Sequence, residues 1–317
     1  MRKFGEGASV IARCWWSLAV FRPQLVYYVP SGPRSIGLIK DVVTLLCLRL
    51  FRARIVLHFH AGGLGDAWNA RFSSQWYAGL VRRAFFGVHG AIVVSERNQA
   101  EAEVLCPRRI FTIPNGIPDV QNDDAHGGRM APEGRPASVL FVGLVGEPKG
   151  AFDLADAARL LWDRGYDFVL QFMGEVEDGV RQELLERVDG YVDRTEFLGV
   201  LSGEEKFRVF ATAAILAFPS HFEAETFGLV CAEAMMLGIP VVCTDWRGLP
   251  DVVEHGTTGL VVPINDPQAL TKALGELLDD SDLRERFGKV GRARYVDLFG
   301  IDRWRSAMVN AFDELCP

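Results

Sequence analysis

Short apolar runs alternate with longer segments of helical period through most of the chain. The runs are rich in Val, Ile and Phe, as buried parallel strands are, and the longer segments repeat apolar positions as amphipathic helices do. The predicted strands are residues 24–29, 54–59, 90–95, 109–114, 138–143, 167–174, 195–199, 214–220, 240–244 and 259–263. The predicted helices are 35–52, 73–87, 150–163, 178–188, 203–211, 227–237 and 267–277. This alternation predicts an α/β fold with parallel sheets covered by helices.

A break in the pattern divides the chain. The stretch "GGRMAPEGRPAS" (127–138) mixes Gly, Pro and charge as linkers do. It predicts two Rossmann-like domains, at 1–130 and 131–300. A C-terminal helix in 301–317 is expected to pack back toward the first domain. Ligands of such sheets bind beyond the carboxyl ends of the strands, so the residues that follow the strands are the candidate site residues.

Composition indicates a globular intracellular protein. The 317 residues are 49% hydrophobic, and the six cysteines are scattered with no CxxC pair, which predicts reduced thiols in a cytoplasmic chain and no structural zinc. The apolar stretch "VVTLLCL" (42–48) ends at Arg49, far short of a membrane span, and the first residues have no signal-peptide pattern.

Charge is distributed unevenly along the chain. Residues 1–135 hold 17 of the 34 Lys and Arg and 10 of the 41 Asp and Glu, a net +7, so the remainder carries 17 against 31, a net −14. One interpretation is a solvated basic face. The other is an anionic membrane surface as partner, with Arg49, Arg52 and Arg54 following the apolar stretch, and with the protein peripheral on the inner face of the membrane. Nucleic acid is not predicted, because no nucleic-acid module is present.

The segment "ETFGLVCAE" (225–233) carries two carboxylates in an otherwise mostly apolar run. Glu225 is predicted to lie just before a helix N-terminus, where free N–H groups at Phe227, Gly228 and Leu229 favour an anion such as phosphate. Glu233 would lie about 80° around that helix from Glu225. The alternatives are a carboxylate stabilising the helix dipole and a solvated one on the helix face.

The surrounding block, "FPSHFEAETFGLVCAEAMMLGIPVVCTDWRGLPDVVEHGTTGLVVP", resembles the donor site of retaining glycosyltransferases of family 4, with its E-x7-E signature. That family has the GT-B fold, two Rossmann-like domains facing a cleft. The resemblance implies that Glu225 binds hydroxyls of the donor sugar and Glu233 the ribose hydroxyls of the nucleotide. The neighbouring binding residues that it implies are Thr226, Phe227, Gly228 and Leu229.

Two further blocks carry the same resemblance. "LFVGLVGEPKGAFDLADAARLL" (140–161) resembles the family's strand, glycine turn and helix, in which Gly143 binds and Lys149 neutralises the donor diphosphate. Leu144 stands at the position of a second cation, an arginine, in the family. The alternative for Lys149 is a solvated lysine in a Pro-Lys-Gly turn. "MGEVEDG" (173–179) corresponds to a loop near the base, which makes Gly174 and Glu175 binding candidates; a merely solubilising acidic loop explains them as well.

"VLHFHAGGLGDAW" (56–68) places His58 and His60 on one face at the end of a strand. Such a pair suits metal ligation, but no third ligand at useful spacing is present, so no metal is predicted. The alternative is a hydrogen-bonded strand-end histidine. The stretch resembles the family's HxHGG segment, which implies that His60 contacts the donor sugar near the reacting carbon.

The resemblance therefore implies a retaining, metal-independent glycosyltransferase that needs no cofactor and moves a sugar from a nucleotide diphosphate sugar to a glycan or lipid-linked acceptor. The opening "MRKFGEGASVIARCWW" offers neither the first strand nor the glycine-rich loop of the family, so we expect a shortened N-terminal domain, which leaves activity itself to be tested. Two alternatives remain. A nucleotide-sugar epimerase would turn over donor without acceptor, and a non-catalytic subunit would bind donor or a partner transferase without consuming donor. Sequence alone does not give the oligomeric state.

Overall fold

The computed structural model describes residues 13, 16–32, 35–51, 53–69, 75–120 and 136–316. The chain forms two compact units. The first comprises residues 1–114 and 305–317, and the second comprises residues 115–304. Each unit has its own parallel sheet, which confirms the predicted α/β class.

The first unit contains a four-stranded parallel sheet in the order β1-β2-β3-β4. Its strands are β1 (Leu25–Tyr28), β2 (Arg54–Phe59), β3 (Gly90–Val93) and β4 (Ile110–Thr112). Its helices are α1 (Ser35–Leu50), α2 (Leu64–Ala67), α3 (Ala78–Phe85) and α4 (Gln99–Glu103), preceded by a helical segment at 16–21. The apolar face of α1 packs against α3, and the core is built from Leu45, Leu48, Ile55, Leu57 and Phe85.

The second unit contains a six-stranded parallel sheet in the order β10-β9-β8-β5-β6-β7. Its strands are β5 (Ala137–Val142), β6 (Phe168–Met173), β7 (Thr195–Gly199), β8 (Ile215–Phe218), β9 (Val241–Thr244) and β10 (Gly259–Val262). Its helices are α5 (Ala151–Asp163), α6 (Val180–Arg187), α7 (Gly203–Thr212), α8 (Leu229–Met236), α9 (Leu249–Val252), α10 (Pro267–Asp279) and α11 (Ser281–Arg294). Helix α12 (Ile301–Leu315) ends the chain.

This order is that of a doubly wound Rossmann sheet. The chain builds β5, β6 and β7 outward in one direction, then returns to the other side of β5 and builds β8, β9 and β10 outward. The central strands β8 and β9 are wholly buried, as strands covered on both faces are. The order reverses between β5 and β8, and the carboxyl ends of these two strands flank the crevice in which such sheets bind ligands.

The units divide at Pro114 rather than at residue 130. The segment after Pro114 is tied to the second unit because the Ile117 N–H donates to the Phe299 carbonyl (2.8 Å) and Arg292 forms an ion pair with Asp119. The linker stretch 127–135 lies outside the described residues. None of the helices that the structure describes is long and apolar enough to cross a membrane.

Candidate functional site

The loops that follow β5 and β8 meet at the reversal point of the second sheet. Lys149 lies at the end of a short 3-10 turn (Glu147–Lys149) after β5, and its Nζ forms an ion pair with Glu225 Oε2 at 2.7 Å. The two side chains are only 18% and 12% exposed. The attraction between the two charges is screened less by water here than in a surface pair. Two residues predicted to act on one donor thus lie in contact.

Backbone contacts hold these two loops together. The His221 N–H donates to the Pro148 carbonyl at 3.0 Å. Gly150 adopts φ +75°, and a Cβ there would lie 2.1 Å from the Pro219 carbonyl oxygen, so only glycine allows this approach. The Lys149 ammonium also lies 4.6 Å from the centre of the Phe222 ring, on the opposite loop. Lys149 is therefore positioned at the reversal point rather than on a solvated turn.

Glu225 closes the turn that leads into α8. Its Oε1 accepts from the Gly228 N–H at 3.2 Å, and its Oε2 accepts from Ser220 Oγ at 3.4 Å. Helix α8 begins at Leu229, so Glu225 lies outside the helix and the predicted angle of 80° to Glu233 does not describe the pair. In this structure Glu225 itself occupies the Gly228 N–H, one of the donors predicted to hold phosphate.

The four residues between Glu225 and the body of α8 differ in exposure. Thr226 and Phe227 are buried, Gly228 has φ +77°, and Leu229 is half exposed. A Cβ on Gly228 would lie 2.4 Å from Leu249 Cδ2, so glycine is also needed for packing.

Glu233 is the single charged residue of α8, whose sequence is LVCAEAMM. Its carboxylate accepts from Lys206 Nζ through both oxygens, at 2.6 and 2.7 Å. Lys206 lies on α7 and was not predicted as a site residue, because on "GEEKFRVFAT" it reads as one more charge on a solvated helix face. The sequence signal that could have found Lys206 is Glu233, because a carboxylate on a mostly buried helix needs a cation as partner.

The thiol of Cys231 on α8 is fully buried. Burial is the first cause that raises its pKa, and the carboxylates of Glu225 and Glu233 raise it further while Lys149 lowers it. Cys231 and Glu233 both lie on α8, and Glu225 lies in the turn before this helix. The structure brings Lys149, Glu225 and Glu233 into one region of the second unit.

The loops after β5 and β6 run alongside each other. Gly143 and Gly174 have φ +146° and +147°, and a Cβ on Gly174 would lie 1.8 Å from the Gly143 carbonyl oxygen. The Glu175 side chain is exposed, and its carbonyl accepts from the Val145 N–H at 2.7 Å. Leu144 is 41% exposed in this loop, an apolar side chain in water where the resemblance expects an arginine.

His58 and His60 belong to the first unit, at the end of β2. Their ring centres lie 4.0 Å apart, with His58 fully buried and His60 exposed. Tyr27 Oη and His58 Nδ1 share a hydrogen bond of 2.6 Å, whereas His58 Nε2 is buried without a partner in the described structure. Burial, with a smaller contribution from His60, lowers the pKa of His58 to about 3, so its ring is neutral.

A doubly wound sheet with a shielded lysine and two carboxylates near its reversal point defines a Rossmann-type α/β protein with a candidate ligand site there. The sequence identifies the family of the protein: the model of the family "Glycosyl transferases group 1" matches residues 129–294. The chain belongs to this family of sugar-transferring enzymes.

Named relatives agree with this assignment. The chain is 28% identical to O-antigen chain mannosyltransferase C of Escherichia coli, over 83% of this chain and 70% of that protein. It is 30% identical to the phosphatidyl-myo-inositol mannosyltransferase of Mycobacterium leprae, over 78% of this chain and 64% of that protein. The crystal structure of Anabaena HepE in complex with UDP and glucose shares the fold, with a TM-score of 0.73, 18% identity, and coverage of 97% of this chain and 80% of that one.

Proposed function

We propose that the protein is a retaining glycosyltransferase that moves a sugar from a nucleotide diphosphate sugar to a glycan or lipid-linked acceptor. The observation that carries this proposal is the Lys149–Glu225 pair at the reversal point, with Glu233 on the helix that follows. A cation suits a diphosphate, and ionised carboxylates suit the hydroxyls of sugar and ribose. The second unit thus offers one group for each part of the donor.

In this proposal each residue has one task. Lys149 neutralises charge that builds on the departing nucleotide diphosphate as the bond between the sugar carbon and the phosphate oxygen breaks. Glu225 holds donor sugar hydroxyls, Glu233 holds the ribose, and His60 contacts the sugar near the reacting carbon. The acceptor hydroxyl forms the new bond to the same carbon on the same face, and its proton passes to the departing phosphate oxygen. The step needs no metal and no cofactor.

The relatives support the substrate classes. HepE was crystallised with UDP and glucose, which supports a nucleotide-sugar donor. The two mannosyltransferases are named for an O-antigen chain and a phosphatidylinositol, a glycan and a lipid. We carry these classes to this chain as proposals, with the donor base and sugar left to experiment.

The test is transfer itself. The protein is incubated with UDP-, GDP- and ADP-linked sugars and with a bacterial lipid and glycan extract, and the product linkage is examined by proton NMR. We expect a product whose anomeric configuration matches that of the donor, and none with Glu225→Gln. An inverted linkage would overturn the retaining mechanism. Donor turnover without acceptor would indicate an epimerase, and donor binding without turnover a non-catalytic subunit.

We also propose that the first unit contacts an anionic membrane surface. Ile39, Val43 and Leu50 are exposed and recur along one face of α1. Lys40 on the same helix is 52% exposed, and Arg82 and Arg83 are exposed on α3, which packs against α1. Apolar side chains beside cations suit an interface with acidic headgroups.

The arginines first predicted to bind the membrane are engaged elsewhere. Arg49 donates to the carbonyls of Ala84 and Phe86, and Arg54 donates to the carbonyl of Leu315. Arg52 lies outside the described residues. Substituting all three would perturb folding and confuse the result.

A sharper test substitutes the exposed apolar stripe instead. The variant Ile39→Ser/Leu50→Ser is compared with Val309→Ser, an exposed valine on α12, in sedimentation with phosphatidylglycerol vesicles at low and high salt. We expect the native chain and the control to pellet at low salt and less at high salt, because salt screens the attraction. Equal pelleting of the double variant would refute the idea.

A further inference from the structure

The contact between Lys206 and Glu233 joins the two crossover helices on either side of β8. Lys206 lies on α7, which leads into β8, and Glu233 lies on α8, which leads out of it. Both carboxylate oxygens accept from the one ammonium, and the two side chains are 21% and 15% exposed. The contact is short, charge-assisted and shielded from water, unlike the i,i+4 pairs on the surface helices.

The aromatic rings beside Lys206 hold its ammonium in place. It lies 5.5 Å from the ring centre of Phe207 and 5.7 Å from that of Phe210, a fully buried ring. Cations are attracted to ring faces at such distances. The Glu233 carboxylate is therefore held by the Lys206 ammonium, and that ammonium is in turn held by the two aromatic rings.

The lone pairs of the carboxylate then allow one arrangement of ligands. Each carboxylate oxygen has two lone pairs. Lys206 contacts both oxygens at once and so occupies the two lone pairs that face each other. The outer lone pair of each oxygen remains, and one of these can accept from the 2′ hydroxyl of a ribose. Without Lys206 the carboxylate can rotate, and it has no cation to offset its removal from water.

We propose that Lys206 is a positioning residue that sets the recognition of ribose through Glu233. This inference rests on the proposed function, because it takes the nucleotide of the donor as the ligand of Glu233. On this proposal Lys206 helps the protein to distinguish ribonucleotides from deoxyribonucleotides. An ion pair with a purely structural role would not affect that discrimination.

The test measures dissociation constants of UDP and GDP and of their 2′-deoxy counterparts by calorimetry. Whichever base binds the native chain, we expect the deoxynucleotide to bind roughly tenfold more weakly, as loss of a hydrogen bond to a charged acceptor predicts. In Lys206→Met we expect that ratio to fall toward one, and in Lys206→Arg to recover in part. Lys289→Met, which removes an exposed lysine paired with Glu285, is the control and keeps the native ratio.

A double-mutant cycle separates positioning from stability. If Lys206 acts through Glu233, then Lys206→Met adds nothing to the ratio once Glu233→Gln is present. A native ratio in Lys206→Met, or additive effects in the cycle, would overturn the inference. If Lys206→Met does not fold, Lys206→Leu, which also removes both the charge and the donor, is interpreted in the same way. Absence of any nucleotide binding by the native chain would instead refute the proposed function.

Discussion

The charged residues of the candidate site stand out because they are shielded from water. Glu233 and Glu225 are carboxylates 15% and 12% exposed, and each has its own lysine. Sequence predicted Lys149 through the resemblance of its glycine turn. It did not predict Lys206, because Lys206 and Glu233 lie 27 positions apart in the chain, on two helices that only the fold brings together.

Leu144 gives a prediction about the missing cation. It is exposed in the loop after β5, so an arginine there has room to extend. We expect Leu144→Arg to tighten the binding of a nucleoside diphosphate several-fold, because a forked guanidinium suits phosphate oxygens. Calorimetry compares it with Val192→Arg, another exposed apolar position in the second unit. An equal gain in both variants would show that added charge, not position 144, is responsible.

His58 gives a prediction about acid stability. Burial holds the pKa of the folded side chain near 3, against an ordinary value of 6.5. Below about pH 6.5 the His58 ring takes up a proton in the unfolded chain but stays neutral in the folded chain. The free energy of unfolding therefore falls as the pH is lowered, by up to about 1.4 kcal/mol per pH unit, until the pH nears 3. We expect His58→Gln to lose about 2 kcal/mol less than the native chain between pH 7 and pH 5.

Hydrogen exchange of peptides covering β2 measures this difference, because β2 carries His58. Parallel pH dependence of the two proteins would show that His58 is already charged in the folded state.

At the scale of elements, the loops after β5 and β6 depend on glycines for their close approach. Gly174→Ala places a Cβ 1.8 Å from the Gly143 carbonyl oxygen at a positive φ, so we expect a loss of about 2 kcal/mol or more in the free energy of unfolding. Gly179→Ala is the matched control, because its φ is also positive but nothing lies within 4 Å of its added Cβ. Urea denaturation compares the two, and equal losses would mean that backbone strain alone decides.

Elements with strong apolar patterns were predictable from sequence, and their margins were not. The ten strands that the described residues form were all predicted, most of them because buried parallel strands contain unbroken runs of Val, Ile and Phe. Helix α11 (Ser281–Arg294) was missed, since charged residues interrupt its apolar period. The start of α8 at Leu229 rather than 227 follows from Gly228, whose left-handed conformation ends the preceding turn. The close packing of Gly228 against Leu249, a residue distant in the chain, is not visible in any local sequence pattern.

At the scale of the whole molecule, the last helix completes the first unit. Residues 305–317 group with residues 1–114, and the Phe312 ring lies 5.8 Å from that of Tyr27, centre to centre. We expect Phe312→Ala to destabilise the first unit by about 1 to 3 kcal/mol, because a half-buried aromatic contact is lost. Val309→Ala, at an exposed position of the same helix, is the control. Hydrogen exchange of β1 that is equal in both variants would contradict this role.

We propose that the second unit binds the donor nucleotide through Glu233 and Lys149, and a nucleotide titration tests this proposal. Calorimetric titration of the native chain with UDP, GDP, ADP and their linked sugars is repeated with Glu233→Ala and with Glu285→Ala, an exposed glutamate, as control. We expect at least one nucleotide to bind the native chain and the control alike, and to bind Glu233→Ala at least about tenfold more weakly. Binding to none of them by the folded chain, or equal affinity in Glu233→Ala, would contradict it.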